Sequence, residues 1–578
     1  MRLPRCCLAS LACVVLLAAG ARAAPPDPLR LVPGQAELIV EVKNPRRLVE
    51  AFTTLDLVKQ AQAAPAFQDL LETANVRPFF QLVAHFEKQL GASWPELLDR
   101  VAGGGLVLAV RYGSQPPPAL LIIQGTDEAA VHKFARLALE VIEQEVARQE
   151  GREQIQKASY RGIETVSIGK EFRAAVAGAA LIISNSDKAL QRSLDLHHNG
   201  GRSMAEVKGL AEARRQLPPD PLAFAWLDMD SIRRRPRAKE VLTTEDANVR
   251  VFLGSLFSVL RRTPHLLAGL YREENGFVLT TRAAAGREGM GPEVGLHVPP
   301  ADQPGTRPLL EPKGVLFSSS SYFNLAKIWE EREKLFNKEQ VKALEAFDQT
   351  SARFLSGNQL SKLLLQTGPY QRFVVVNQPT PGAYQTAPKI PLPAFALVQE
   401  LREPEPFARS VNTIVRGAAL LAGTRVRLQL MEEKHGEHEI VGYRFDEKAP
   451  VAGDVNGLRF NFSPCFACVG NQIVFCSTLE LCHELVDLLE KEAKDAAAQG
   501  HRAASVSRLY FAGGAGVLKV FEDALIAQAV LEEGVGLAEA RKQLEGLIEL
   551  VRRLGVINIE SAYGVNDFRL DVRLRVGK

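Results

Sequence analysis

Beyond residue 19 the chain lacks any stretch approaching the ~20 consecutive apolar residues of a membrane-spanning helix, which excludes a multi-span membrane protein. An excess of one charge is also lacking. With 70 Lys and Arg against 67 Asp and Glu, the near-cancellation removes the electrostatic case for nucleic acid. The nearest basic run, Arg233-Arg234-Arg235-Pro236-Arg237, has no interleaved aromatics and reads as a solvated loop. Cysteine is scarce: of seven, Cys6, Cys7 and Cys13 lie in the amino-terminal apolar run. There is no Gly-x-Ser-x-Gly elbow and no Walker ending, and His483-Glu484 begins a His-Glu-x-x-His pattern whose fifth residue is Asp487. These absences leave no catalytic residue and no cofactor to assign. An enzyme is less expected than a non-enzyme.

The amino terminus is informative. Arg2 and Arg5 precede the apolar run 6–19, which meets Ala21-Arg22-Ala23, a small-residue cleavage pattern. Residues 1–23 therefore read as a secretory signal, and the mature chain as exported to the periplasm or beyond the cell, without a transmembrane segment.

The mature length exceeds what one core usually serves, and an internal recurrence says how it is divided. Residues 466–489, FACVGNQIVFCSTLELCHELVDLL, repeat the pattern of 174–196, AAVAGAALIISNSDKALQRSLDL. Each reads as strand, Gly-led two-residue turn (Gly178-Ala179, Gly470-Asn471), strand, then helix. Ser477 with Glu480 has capping-box spacing at the second helix, and Ser184, Asn185 and Ser186 stand at the first. Further matches keep the same order: Pro118–Gln124 with Pro393–Gln399, Phe134-Ala135-Arg136 with Phe407-Ala408-Arg409, and Tyr271, Phe277, Leu279 with Tyr563, Phe568, Leu570. The expected division is a first domain over 24–285, a Gly/Pro-rich linker over 286–313 and a duplicate domain over 314–578. Tight turns between adjacent strands make them antiparallel. The fold class is α+β: two homologous domains, each a largely antiparallel sheet with helices packed on one face.

An export signal followed by repeated units, each opening on a short Pro-containing lead-in (Val32-Pro33-Gly34, Glu311-Pro312) to an apolar strand, resembles large secreted bacterial proteins classed as domains of unknown function. The resemblance is one of layout. It implies an exported α+β protein and transfers no active residue.

Candidate chemistry clusters in the second copy. Cys465, Cys468, Cys476 and Cys482 invite a zinc reading, but the first copy places Arg173, Val176, Ser184 and Leu190 at the corresponding positions. Residues three apart on a strand also face opposite sides. Buried thiols or a disulfide fit better, and no metal is assigned. Counting outward from Gly470-Asn471 sets Cys465 opposite Cys476, within disulfide reach. His483 and Glu484 are weak candidates on a helix face. His435 and His438 fall in 432–439, EEKHGEHE, which reads as a solvated hairpin tip with a weak cation site as the rival. Gly513-Gly514-Ala515-Gly516 reads as a tight turn. The leading expectation is an exported non-enzymatic structural or binding protein. A hydrolase or metal-dependent enzyme of the second domain and a carrier of apolar ligands are the alternatives, and the partner, protein or apolar ligand, stays unknown.

Overall fold

The computed structural model describes residues 25–56, 58–59, 77–148, 155–378, 382–422, 426–495 and 502–577; the expected signal segment lies outside them. By internal contact the chain divides into two compact units, Met1–Glu50 with Pro78–Glu212, and Ala51–Arg77 with Ala213–Lys578. The fold is α+β with antiparallel strand pairing throughout both units. No helix among the described residues is long and apolar enough to cross a membrane.

The first unit contains β1 (Leu38–Val42), β2 (Gly105–Val110), β3 (Ala119–Gln124), β4 (Ile155–Tyr160), β5 (Ile163–Ile168), β6 (Phe172–Ala177) and β7 (Ala180–Ser184). They pair in the order β1-β2-β3-β7-β6-β5-β4. Helices α1 (Glu128–Arg148) and α2 (Asp187–Asn199) both contact β6 and β7. The Ser186 hydroxyl caps α2 by accepting from Ala189 N at 3.4 Å.

The second unit contains β8 (Ala223–Asp228), β9 (His265–Glu273), β10 (Gly276–Ala283), β11 (Val315–Tyr322), β12 (Thr367–Val376), β13 (Ala394–Leu401), β14 (Leu428–His435), β15 (His438–Phe445), β16 (Cys465–Val469), β17 (Gln472–Cys476), β18 (Ser505–Tyr510), β19 (Val556–Tyr563) and β20 (Phe568–Arg575). Their spatial order is β8-β9-β10-β20-β19-β18-β11-β12-β13-β17-β16-β15-β14. Sheet continuity passes through β10 and β20, where Phe277 faces Leu574 and Ala283 faces Phe568.

Helices α3 (Ala247–Arg262), α4 (Pro404–Ala422) and α5 (Leu479–Lys494) belong to this unit. In α5, Leu481, Cys482, Leu485, Val486 and Leu489 recur at helical spacing and are buried against Ala467, Val469 and Val474. The opposite face of the same hairpin is covered too: Phe407 and Val411 of α4 pack with Phe466 and Ile473. Helices thus lie on both faces of β16 and β17, because both faces of CFACV and QIVFC are apolar.

Three local expectations change. Ser477 makes no capping box; its hydroxyl accepts from Phe395 N at 2.8 Å, and Ser463 Oγ takes the N–H of Leu479 at 2.9 Å instead. The match of Pro118–Gln124 with Pro393–Gln399 slips by one, since Leu120 pairs with Ser184 as Ala396 pairs with Cys476. A one-residue slip exchanges the two faces of a strand, and the corrected register aligns buried Ile122 with buried Val398. Finally, the glycines 513–516 lie within the helix Phe511–Val520 rather than in a turn.

Residues 286–313 lie inside the second unit and are tied to it. Arg287 N donates to Gly564 O at 2.9 Å, Glu288 N to Val565 O at 3.0 Å, and Leu296 is fully buried. Gly286 approaches so closely that an added Cβ would sit 2.4 Å from the Gly564 oxygen. That backbone contact requires glycine.

Candidate functional site

The β16–β17 hairpin turns at Gly470, whose φ of +58° is left-handed, and closes with Val469 facing Gln472 and Cys465 facing Cys476. The thiols are reduced in this structure. Cys465 and Cys476 are buried together with Cys482 of α5 in one core cluster, whereas Cys468 points to the α4 face. Interaction with Cys482 and then burial push the Cys465 thiol well above its ordinary range, and burial and then Cys482 do the same for Cys476.

His435 and His438 flank a largely exposed hairpin tip, as expected, and His435 meets His483 of the neighbouring helix there. β14 and β15 run through the polar segment up to a turn at Gly436, and His435 faces His438 across the strands. The hairpin leans on α5 through three crossing pairs. His435 Nε2 lies 2.7 Å from Asp487 Oδ1, His438 Nε2 lies 3.0 Å from Glu490 Oε1, and His483 Nε2 lies 3.1 Å from Glu433 Oε1. The His435 and His483 rings stack with centroids 4.6 Å apart. Glu484 points elsewhere and accepts from Lys313 N. Each histidine therefore has a carboxylate beside it, although His483 Nε2 makes no hydrogen bond to its own. Among the described residues no three His, Cys, Asp or Glu side chains converge to hold a metal.

A cleft that was not expected from sequence lies where the closing strands meet. Its volume is about 760 Å³, and its lining includes Arg282 of β10, Arg287, Arg502, Arg569 of β20, Tyr563 and Asp567. Arg282 and Arg569 are direct cross-strand partners and so share a face. Arg569 is compensated by Glu560 at 2.9 Å and Asp571 at 3.5 Å, and Arg287 donates to Tyr563 O at 2.9 Å. The side chains of Arg282, part-buried, and Arg502, exposed, make no hydrogen bond or ion pair with any described residue. Burial lowers the Arg282 pKa from its usual value, with Asp571 opposing and Arg569 adding to that shift. Arg569 Nε and the buried Asp571 Oδ1 also lack hydrogen-bond partners. Guanidinium donors in a concave, partly desolvated setting are suited to a carboxylate or phosphate, which they grip in parallel pairs.

A second feature is apolar. Leu397, Phe373 and Ile559 fall in one cross-strand row with Ser319 and Ser507, and Phe395, Val375, Phe317, Leu509 and Ile557 form the next row. Phe373, Phe395, Leu397, Leu509 and Ile559 are 37–45% exposed on this one face of β13-β12-β11-β18-β19.

Residues 107–381 match a family model described as "Protein of unknown function (DUF3352)". No curated protein matches the chain. Among solved structures, crystal form I of TP0453 aligns at 12% identity over 46% of this chain and 80% of that one, with a TM-score of 0.24. Crystal form IV of TP0453 aligns at 10% identity over 46% and 83%, with a TM-score of 0.23. Overlaps this low carry no argument about fold or function.

The cleft arginines had a signal in the sequence. In 568–575, FRLDVRLR, the charges Arg569, Asp571, Arg573 and Arg575 alternate along the strand, marking a polar face. Which strand lies beside that face is a long-range fact, and pairing with β10 is what brings Arg282 to it.

Proposed function

We propose that the chain is an exported, non-enzymatic binding protein made of two copies of one α+β unit, whose ligand is a small oxyanion held in the arginine cleft. The observation that carries the reading is the convergence of Arg282, Arg287, Arg502 and Arg569 on a cleft of about 760 Å³, with the part-buried Arg282 side chain making no hydrogen bond there. Partial burial of Arg282 disfavours its charge, and perturbed ionisable groups in clefts concentrate at binding sites. The hydrolase and metal-enzyme alternatives rely on His483, Glu484, His435 and His438, whose contacts are to Glu433, Lys313 N, Asp487 and Glu490.

Duplication is supported by matched detail. Ala119 N donates to Asn185 Oδ1 at 2.8 Å, as Phe395 N donates to Ser477 Oγ at 2.8 Å. Gly125 N reaches Ala179 O at the first hairpin turn, as Leu401 N reaches Asn471 O at the second. One offset relates Phe277 to Phe568 and Ala283 to Leu574, and these four pair crosswise between β10 and β20, as a local two-fold requires. Export is supported by the charged, apolar and small-residue regions of 1–23.

The test is calorimetry and thermal unfolding of the mature chain with inorganic pyrophosphate as the phosphate probe and citrate as the carboxylate probe. Saturable binding of one probe is expected, and Arg282→Gln should weaken it about tenfold or more, the value of a charge-assisted hydrogen bond. The Tm of ligand-free Arg282→Gln should lie close to the parent, since the variant removes a partly desolvated charge that makes no hydrogen bond. Neither probe binding, or equal binding by Arg282→Gln, would sink the reading.

A specific observation favours the apolar-ligand carrier as a second reading: the two exposed apolar rows on β13-β12-β11-β18-β19. Saturable binding of a long-chain fatty acid that Phe373→Ser with Phe395→Ser abolishes, while pyrophosphate and citrate do nothing, would select it.

A further inference from the structure

The three buried thiols of the second hairpin and its helix are not used by the anion cleft. Cys465 and Cys476 face one another across β16 and β17. Alternation outward from the turn makes theirs a hydrogen-bonded pair, with Cα atoms roughly 5.5 Å apart, inside the span of a disulfide. Cys482, fully buried in the first turn of α5, packs in the same core cluster as both thiols, and Cys465 donates to Thr478 O at 3.6 Å. One sulfur therefore stands in reach of two others that are themselves opposed. The corresponding pair of the first hairpin is Arg173 facing Ser184, so a hairpin of this form closes without thiols.

We infer that Cys465, Cys476 and Cys482 form a thiol-disulfide exchange site, in which Cys482 competes with each strand cysteine for the other. In the first step a small-molecule disulfide takes two electrons from the Cys465 and Cys476 thiols, giving one protein disulfide and two small thiols. In the second, the Cys482 thiolate attacks Cys465 Sγ. The Cys465–Cys482 bond forms, the Cys465–Cys476 bond breaks, and Cys476 leaves with the electron pair and takes up the proton that Cys482 released. Attack on Cys476 Sγ is the mirror case. The thiolate at Cys482 is favoured by the neighbouring Cys465 and Cys476 thiols and by the His483 and His435 rings. These pull its pKa down to about 5 against the opposing effect of burial. Cys468, on the α4 face, is excluded by geometry.

Oxidised glutathione is the probe, applied to the folded mature chain and to Cys465→Ser and Cys476→Ser; after acid quench and alkylation, peptide mapping reads the pairings. The parent should yield Cys465–Cys476 together with a species containing Cys482. Cys465→Ser should yield Cys476–Cys482, and Cys476→Ser should yield Cys465–Cys482. In all three, Cys468 should be recovered alkylated. Recovery of Cys482 fully alkylated from all three proteins would overturn the inference, as would indiscriminate pairing through Cys468. Serine already stands at one equivalent position, so the two variants are expected to fold, and circular dichroism checks it.

Discussion

The unit β6-β7-α2 and the unit β16-β17-α5 share a frame and differ in what they carry. Both turn on a left-handed glycine, Gly178 at φ +57° and Gly470 at φ +58°, and both tie the end of the second strand to the neighbouring strand through a side chain. Where the first unit has Arg173 paired outward with Asp187 at 2.6 Å, the second has the thiols. The strand two places from each hairpin repeats the contrast. Val107 of β2 faces Ile122 as Arg372 of β12 faces Val398, and both side chains are almost wholly buried. Arg372 is compensated by Glu492, Gln472 and Pro308 O. The frame is set by apolar alternation and backbone pairing, and it tolerates a hydrocarbon or a charge at the same buried place provided the charge is satisfied.

The largest effect should come from unsatisfying that charge. Glu492→Ala leaves Arg372 buried without its carboxylate and is expected to cost about 3–5 kcal/mol in urea unfolding. The double variant Arg372→Val with Glu492→Ala, which restores the Val107 arrangement, should recover most of the loss. If it is no more stable than the single variant, the two frames are not interchangeable. Next come the apolar positions. Ile182 of β7 and Ile473 of β17 are each fully buried, and each Ile→Ala change should cost about 2–5 kcal/mol. A cost below 1 kcal/mol at one site alone would show that only the other hairpin is a packed core.

The frame was legible where information was local. Turn glycines, strand alternation and the helical spacing of Leu481, Leu485 and Leu489 place the hairpins and α5. The cap differs from the expected one because the Ser477 hydroxyl can serve either the helix start or β13 and is taken by Phe395 N, leaving Ser463 to accept from Leu479 N. The solvated tip of β14-β15 is legible from its polar composition; what its histidines contact is not. Their partners Asp487 and Glu490 are more than 50 residues away. The arginine cleft was missed for the same reason, since Arg282 and Arg569 meet only through the pairing of β10 with β20.

The connections preceding β3 and β13 supply a medium-sized test. The longer one is anchored by Tyr384, whose hydroxyl donates to Phe462 O at 2.6 Å and accepts from Phe445 N at 3.0 Å. Burial raises the phenol from 10.0 to about 12. Because the folded value lies above the unfolded one, this contribution is fully present below pH ~10 and is lost as pH rises through 12. Tyr384→Phe should cost about 1–3 kcal/mol near neutrality and flatten the alkaline loss of stability. An unchanged alkaline slope would remove Tyr384 as the cause.

The smallest net change should follow from moving the thiols to the other frame. Arg173→Cys with Ser184→Cys places two thiols at directly opposed positions of β6 and β7, as in the second hairpin. The substitution removes the half-exposed Arg173–Asp187 pair, worth about 0–1 kcal/mol. It also removes the Ser184 hydroxyl, which donates to Ala119 O at 2.8 Å and accepts from Ser186 N at 3.0 Å, at roughly 1–2 kcal/mol. Against this, a disulfide closing so short a loop contributes somewhat under the ~3 kcal/mol expected for 15 residues. The oxidised variant should therefore lie within about 1 kcal/mol of the parent, and the reduced variant below it. Parent-like stability in the reduced variant would mean that the Ser184 hydroxyl contributes nothing. Failure to oxidise at all would show that direct opposition in this hairpin does not suffice for a disulfide, and that Cys482 supplies what the second hairpin adds.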